Sequence, residues 1–474
     1  MVALSSIKNY KQFKGLLKFL REIGLSRILG LLFAFLLGLL IVLPGMTKQP
    51  VTLTLLMNAI DAAQWGPMVR DFEAQNPDIR LNIIEGPNAT NLVEDLYTSA
   101  FLLGDSPYDL IYMDVVWAPK FAAAGWLMDL SNRTSYQELG EFLDVAVNAG
   151  RYQEGLYSIP HRSDAGMLYY RKDLLEQAGF QPPKTFAELM QTSQALQKQN
   201  VIPWGYVWQG RQYEGLAAMF VEVLAGYGGY WVNPETGEVG LDQASAIEAV
   251  EFLRRTIELG VSPPGITTYG EEESRRLFQS GKVAFLRNWP YVWALAKDSP
   301  VAGKMGIESM VRTPGHSSGA CLGGWGLGIA TSTKHPDQAW RAIQYLTSAD
   351  AQRQFILASG YVPSRPALFN DPQIVARYSH YPKLLEVVEK AVLRPPIPQY
   401  AQASDILQRY LSAALTGRLS SKKAMQSAAA ETRLLLGRVQ PQAQIPQRSN
   451  GKHVAAQAIS NITPPKIQQE VKAG

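Results

Sequence analysis

After residue 50, apolar positions fall into short runs of period two separated by longer stretches of period near 3.6, the pattern of strands alternating with helices. Val51–Met57, with threonines interleaved, predicts a strand. Asp61 is placed to cap a helix whose apolar face is Trp65, Met68, Val69 and Phe72, and Asn76-Pro77 ends it. Leu81–Ile84 predicts a second strand, and Leu92, Val93, Leu96, Tyr97, Ala100 and Phe101 mark a second helical face. A third strand is expected at Asp109–Met113, and a helical turn at Phe121–Ala124. Such alternation implies a mostly parallel sheet. Sheets of that kind hold ligands beyond the carboxyl ends of their strands, and the polar positions there are Asn58 or Asp61, Glu85 and Asp114.

The pattern changes between residues 155 and 186. A short apolar approach ends at Pro160, a polar knot Arg162-Ser163-Asp164 follows, and Met167 to Tyr170 is apolar again. The next helix is stopped by Gly179 and kept from resuming by Pro182 and Pro183. Thr185 and Glu188 then form the two halves of a capping box. A charged pair between apolar runs predicts a crossing between two lobes, where polar groups face a cleft. Further on, Asp242–Gly260 and Glu271–Ser280 predict helices. Lys282–Leu286 predicts a strand that delivers Arg287-Asn288-Trp289-Pro290-Tyr291. A strand starts at Gly323-Gly324-Trp325-Gly326 and runs through Ala330, and helices follow at Pro336–Leu346 and Ser348–Ser359. Arg394-Pro395-Pro396-Ile397-Pro398 is a stiff connector before two last helices. From Gln440-Pro441 the composition turns to Gln, Pro, Ser and Lys, and residues 439–474 read as a disordered tail.

A chain of 474 residues has room for more than one domain. Its slight basicity is local. Seven basic residues precede residue 50 against Glu22 alone, a net of +6, while the rest carries 38 basic and 40 acidic residues, a net of −2. The bulk charge therefore gives no footprint for nucleic acid. Cys321, the single cysteine, excludes an intramolecular disulfide and a thiolate-rich metal site, and the five histidines are scattered. Ile28–Leu43 is apolar behind the basic flank. That order keeps the flank in the cytoplasm and puts the body across the membrane. Leu43-Pro44-Gly45-Met46 is a poor cleavage site, so residues 1–49 read as an uncleaved membrane anchor.

Residues 155–186 resemble the same region of the extracellular solute-binding proteins that feed ABC importers of sugars, in particular the trehalose/maltose-binding members. The stretches Trp208-Gln209-Gly210-Arg211-Gln212-Tyr213-Glu214-Gly215-Leu216, Arg287-Asn288-Trp289-Pro290-Tyr291 and Leu322-Gly323-Gly324-Trp325 resemble that family too, and the likeness runs over residues 50–438. It implies a two-lobed α/β fold of the periplasmic binding protein type, with a hinge and a ligand in the interlobe cleft. The N-terminal lobe would use residues 50–159 and 322–350, and the C-terminal lobe 165–315 and 360–438. Segments near 160–164, 312–322 and 350–362 would cross between them. The resemblance further implies a small-molecule sugar as ligand, ABC permease transmembrane subunits as partners, a periplasmic or extracytoplasmic site of action, and no cofactor. Family members often carry a lipid-anchored cysteine after the leader, and this sequence has none there.

Sugars present hydroxyls that want fixed donors and acceptors, and C–H faces that want flat apolar partners. A sugar cleft should therefore combine Asp, Arg or Asn with Trp and Tyr. In the family, sugar-contacting acids fall on Asp61, Asp114 and Asp164, contacting aromatics on Trp289, Tyr291 and Trp325 beside the backbone of Gly324, and an arginine on Arg394. Taken alone, the same residues have plainer readings. Asp114 serves equally as a helix cap, Trp289 and Tyr291 as loop or core anchors, and Trp325 as a tight strand start. Asp164 could pair with Arg162 on the surface. Arg162 stands where the family has tyrosine, and Leu92 or Val93 where it has arginine, so the sugar read here need be neither trehalose nor maltose. Arg162 and Glu85 complete the candidates. Two other classes fit the same residues, a glycosidase using paired carboxylates and a binder of a solute such as a polyamine or an iron complex. Arg162 and Arg394 would repel a polyamine.

Overall fold

The computed structural model describes residues 49–104 and 106–437, together with Gly30. The anchor expected at 1–49 and the tail expected at 439–474 lie, apart from Gly30 and Gln49, outside the described residues. No helix among the described residues is long and apolar enough to cross a membrane.

The chain enters its core with β1 (Val51–Asn58), whose Leu53 and Leu55 are fully buried. It pairs in parallel with β2 (Ile79–Gly86), Val51 opposite Ile79 and Met57 opposite Glu85. Helix α1 (Ala59–Gln75) makes the crossover. Its cap is Asn58, whose side chain accepts from the Asp61 backbone N–H, so Asp61 sits in the first turn and not at the cap expected for it. Helix α2 (Thr90–Leu103) buries Val93, Tyr97 and Phe101, a stripe of spacing four. Leu92 and Leu96, expected on the same face, point to solvent.

Strand β3 (Leu110–Asp114) is buried along its length. It is joined to β1 through Asp109, whose backbone N–H donates to Thr54 O while its carboxylate accepts from the Thr54 N–H, at 2.8 and 2.9 Å. A hairpin of β4 (Arg151–Tyr152) and β5 (Gly155–Leu156) precedes β6 (Ile159–Ala165). Three strands, β7 (Met167–Arg171), β9 (Val283–Asn288) and β10 (Met305–Glu308), run antiparallel in a second sheet of order β10-β7-β9-β8, in which β8 (Trp204–Val207) is parallel to β9. The chain then returns to the first lobe as β11 (Leu322–Ile329), which lies antiparallel between β3 and β6.

Two consequences bear on the site. First, the knot Arg162-Ser163-Asp164 is not a loop. It lies in β6, every residue of which is buried, and the crossing is the single residue Gly166 between β6 and β7. Second, the register of β11 sets Trp325 opposite Asp114 on one side and Arg162 on the other. Strand β9 also runs further than expected, so Arg287 is a buried strand residue and Trp289 is the first past the strand's end.

Helices cover both sheets. Among them are α3 (Glu214–Gly226), α4 (Ala244–Glu258) and α5 (Glu271–Gln279) in the middle of the chain. The late helices divide between the lobes. Helices α6 (Pro336–Leu346) and α7 (Ala349–Ser359) pack on α1, with Tyr345 against Phe72 at 5.4 Å and Gln354 bonded to Asp71 at 2.7 Å. Helices α8 (Tyr400–Leu415) and α9 (Ser421–Gly437) pack on each other and on α3 and α4. Each sheet thus has its own helical cover, and their facing ends leave a cleft.

Candidate functional site

A cavity of about 330 Å³ lies in that cleft, and it is lined from both sheets and from the connector at Arg394. Such a volume is at the small end for ligand pockets. Its walls carry two chains of charge and a set of rings.

The first chain is Asp61–Arg162–Asp164. Arg162 donates from Nη2 to Asp61 at 2.9 Å and from Nε to the Tyr112 hydroxyl at 3.2 Å, and its Nη1 lies 3.2 Å from Asp164. Its guanidinium also lies 3.9 Å from the Tyr361 ring centre. Burial alone would drive the guanidinium towards neutrality; Asp61, Tyr112 and Asp164 outweigh it and hold the pKa well above the usual arginine value. Asp61 Oδ2 is saturated, with donors from Asn58 at 2.9 Å, Tyr112 at 3.1 Å and Arg162. Asp164 differs. Burial pushes its carboxyl up to about 6 against the pull of Arg162, and its Oδ1 has no hydrogen-bond partner in the protein. Asp164 lines the cavity, and a modest turn of its side chain would bring this buried, unmatched acceptor to a bound hydroxyl.

The second chain is Asp114–Arg394–Glu214. Arg394 donates to Asp114 at 2.8 Å and to Glu214 at 2.7 Å. Glu214 stands at the start of α3, and it also accepts from Tyr400 and Ser404. Asp114 accepts from the Val116 N–H at 3.2 Å as well, so it closes a turn and faces the cavity at once. Arg394 thereby ties the first sheet to the second lobe's helices, and its Nε has no protein partner. Burial opposes the Arg394 charge, and Asp114 leads the groups that restore it.

The rings complete the wall. Trp325 stacks on Tyr112 at 4.7 Å and meets Trp117 edge-on at 5.3 Å, so most of it is core, and its remaining edge reaches the cavity. Gly324 before it has φ +128°, and a Cβ there would stand 2.5 Å from the Arg162 carbonyl oxygen. Trp289 and Tyr291 are half-buried on the opposite wall, where the Tyr291 hydroxyl donates to Glu272 at 2.9 Å and the Trp289 N–H approaches Glu271 at 3.4 Å.

Asp61, Asp114, Arg162, Asp164, Trp289, Tyr291, Gly324, Trp325 and Arg394 thus share one cavity. Glu85 is not among its lining residues. Strand β2 continues to Gly86, so Glu85 lies within the sheet edge, exposed, and not beyond the strand end where it was expected. Sequence reasoning passed over Arg211, Tyr213, Glu214, Glu271 and Tyr361, all on the cavity wall. The first three belong to the Trp208–Leu216 stretch already noted for its family likeness, which was the available signal. Among the described residues no group of three or more His, Cys, Asp or Glu side chains is arranged to hold a metal ion.

Two α/β lobes joined by short crossings, with unmatched polar groups on the cavity between them, define a solute-binding protein. The sequence model of the bacterial extracellular solute-binding protein family matches residues 57–353, and the chain belongs to that family. Over 421 residues it is 30% identical to a probable ABC transporter-binding protein of Deinococcus radiodurans, an alignment covering 86% of this chain and 99% of the relative. Maltose-bound MalE3 of T. maritima superposes with a TM-score of 0.77 at 37% identity, covering 81% of this chain and 100% of the other. An ABC transporter solute-binding protein of Thermotoga lettingae bound with α-D-tagatose gives a TM-score of 0.73 at 25% identity, over 82% of this chain and 100% of that one.

Proposed function

We propose that this chain is the substrate-binding component of an ABC importer and carries a disaccharide or glucoside, of the trehalose, maltose, sucrose or glucosylglycerol kind, to a membrane permease. The observation that carries the reading is the cavity itself. Asp164 and Arg394, each with one buried polar atom that has no partner in the protein, line it together with the indole rings of Trp289 and Trp325. That pairing suits a ligand with hydroxyls on its edge and C–H groups on its faces. The binding of maltose and tagatose by the similar structures supports it.

In this reading Asp164 accepts from a sugar hydroxyl, Arg394 and Asp114 offer a donor and an acceptor, and Trp289, Tyr291 and Trp325 flank the ring beside the Gly324 backbone. Asp61 holds Arg162 and the Tyr112 hydroxyl through Oδ2, which leaves its Oδ1 to accept from the sugar. The lobes are residues 50–159 with 322–350, and 165–315 with 360–438. Helix α7 is added to the first because it packs on α1. Ligand draws the lobes together about the crossings. The protein acts outside the cytoplasm, as its family does, and an uncleaved segment at Ile28–Leu43 tethers it to the membrane.

Calorimetry against a panel of those sugars, with a polyamine as control, tests the reading. Chromatography of the recovered ligand separates a binder from a glycosidase. Saturable binding with the sugar recovered intact is expected. A cleaved product, or heat only from the polyamine, would overturn it.

A further inference from the structure

Buried next to the cavity wall at Trp289, and outside the groups assigned above, Glu222 and Arg287 form an ion pair with both side chains 0% exposed. Arg287 donates from Nε to one carboxylate oxygen at 2.7 Å and from Nη2 to the other at 2.5 Å. Gln209 closes the ring, accepting from Arg287 Nη1 and donating to the Arg287 carbonyl, each at 3.0 Å. Every partner is fixed in direction. A charged pair so deep is poor value as a source of stability, since well-packed apolar side chains serve as well or better. Its return lies elsewhere.

The pair touches two of the places where the chain passes between the lobes. Cys321, just before β11, donates its backbone N–H to Glu222 Oε1 at 3.1 Å. Gly166, the residue between β6 and β7, lies so close that an added Cβ would stand 1.6 Å from the same oxygen. The two crossings are also bonded to each other, Gly166 N–H to Cys321 O at 3.2 Å. At the other end of the pair, the Arg287 guanidinium lies 4.2 Å from the centre of the Trp289 ring. Trp289 in turn lies against Gly323, where an added Cβ would meet its ring at 3.0 Å. Glu222 also shares α3 with Glu214, two turns earlier, which holds Arg394 across the cleft.

We infer that Glu222 and Arg287 are positioning residues for solute binding: they hold the Trp289 ring at the cavity wall and bind its place to the two lobe crossings. Movement at the crossings shifts Glu222, the bidentate contact carries Arg287 with it, and the ring above follows. This deepens the proposed sugar reading and shares its cavity, but its first test needs no ligand.

Full-length protein labelled with 5-fluorotryptophan gives one fluorine resonance per indole, and Trp289→Phe assigns the one that matters. In the double variant Glu222→Leu with Arg287→Met, the Trp289 resonance should broaden or split and its solvent isotope shift should at least double, while Trp65 and Trp117 keep their positions. A single sharp Trp289 resonance with the parent isotope shift overturns the inference. Should Trp65 and Trp117 show the double variant unfolded, Arg287→Lys decides by the same readout, since it keeps the charge but loses the fork and the flat face over the ring. Affinity for the sugar that the parent binds should then fall about tenfold in the folded variant, and unchanged affinity overturns the link to binding. A parent that binds no sugar at all defeats the functional reading instead, and the fluorine result stands apart from it.

Discussion

Replacing Asp164 by asparagine should stabilise the unliganded protein at neutral pH and leave it unchanged near pH ~4. The carboxyl is buried with Arg162 as its charged partner and an unpaired Oδ1, and burial raises its pKa from 3.8 to about 6. The sign follows from which state holds the proton longer. Between those two values the folded protein keeps the Asp164 proton and the unfolded chain has released it, so stability falls as pH rises through the window. Above the folded value the full penalty is present, about 3 kcal/mol for a rise of this size. Asparagine never ionises and escapes it. Carboxylates such as Asp129, Asp242 and Asp371, whose values hydrogen bonds lower, act in the opposite sense, but they are common to both proteins and cancel in the difference. Urea unfolding of parent and variant at intervals between about pH 4 and about pH 8 measures that difference directly. It should open from near zero to about 3 kcal/mol and then level. Parallel curves, or a variant weaker at neutral pH, would show that the ionised carboxylate is well solvated where it sits and refute the reasoning. Ligand supplies a second check. A hydroxyl that donates to Oδ1 favours the charged form, so binding near pH ~6 should release protons. Calorimetry in buffers of different ionisation enthalpy detects this, and proton uptake would contradict it.

Arg162→Met removes the shared partner of Asp61 and Asp164 and should lower stability by about 3 kcal/mol at neutral pH, less at pH ~5 where Asp164 takes up a proton; urea unfolding at the two pH values measures both. Arg394→Met cuts the bridge from Asp114 to Glu214. It should widen the unliganded cleft, seen as a larger radius of gyration in X-ray scattering, and weaken sugar binding about tenfold or more. Gly166→Ala drives a methyl into Glu222 Oε1 and should cost about 1–3 kcal/mol or more, whereas Gly66→Ala, whose methyl meets only the tip of Arg70 at 3.4 Å, should stay within ~0.5 kcal/mol; thermal melts of the two compare them.

Much of the fold could be read from local pattern, and the exceptions at the site share a physical cause. The helix at Pro336–Leu346 falls where its pattern put it, Gly179 stops its helix with φ +73°, and both halves of the Thr185–Glu188 capping box form. Each of those features is decided by neighbours within a few residues. The polar knot at Arg162 is not. Its guanidinium is buried because Asp61 comes from 101 residues away and Tyr112 from 50. Arg394 finds Asp114 across 280 residues and Glu214 across 180. Nothing near Arg162 in the chain distinguishes a strand residue with distant partners from a solvated turn, since the cost of burial and the groups that offset it lie in different segments. The family likeness brought the cavity's acids and indoles together because it carries long-range pairing that local periodicity lacks. It could not place Arg162. Arg162 donates to one oxygen of Asp61 and lies beside Asp164, whose Oδ1 keeps no partner in the protein. Solute preference should therefore turn on Asp164 and Arg162 together, and the double variant Arg162→Tyr with Asp164→Asn should change the order of sugars in a binding panel where neither Trp325 nor Gly324 has been touched.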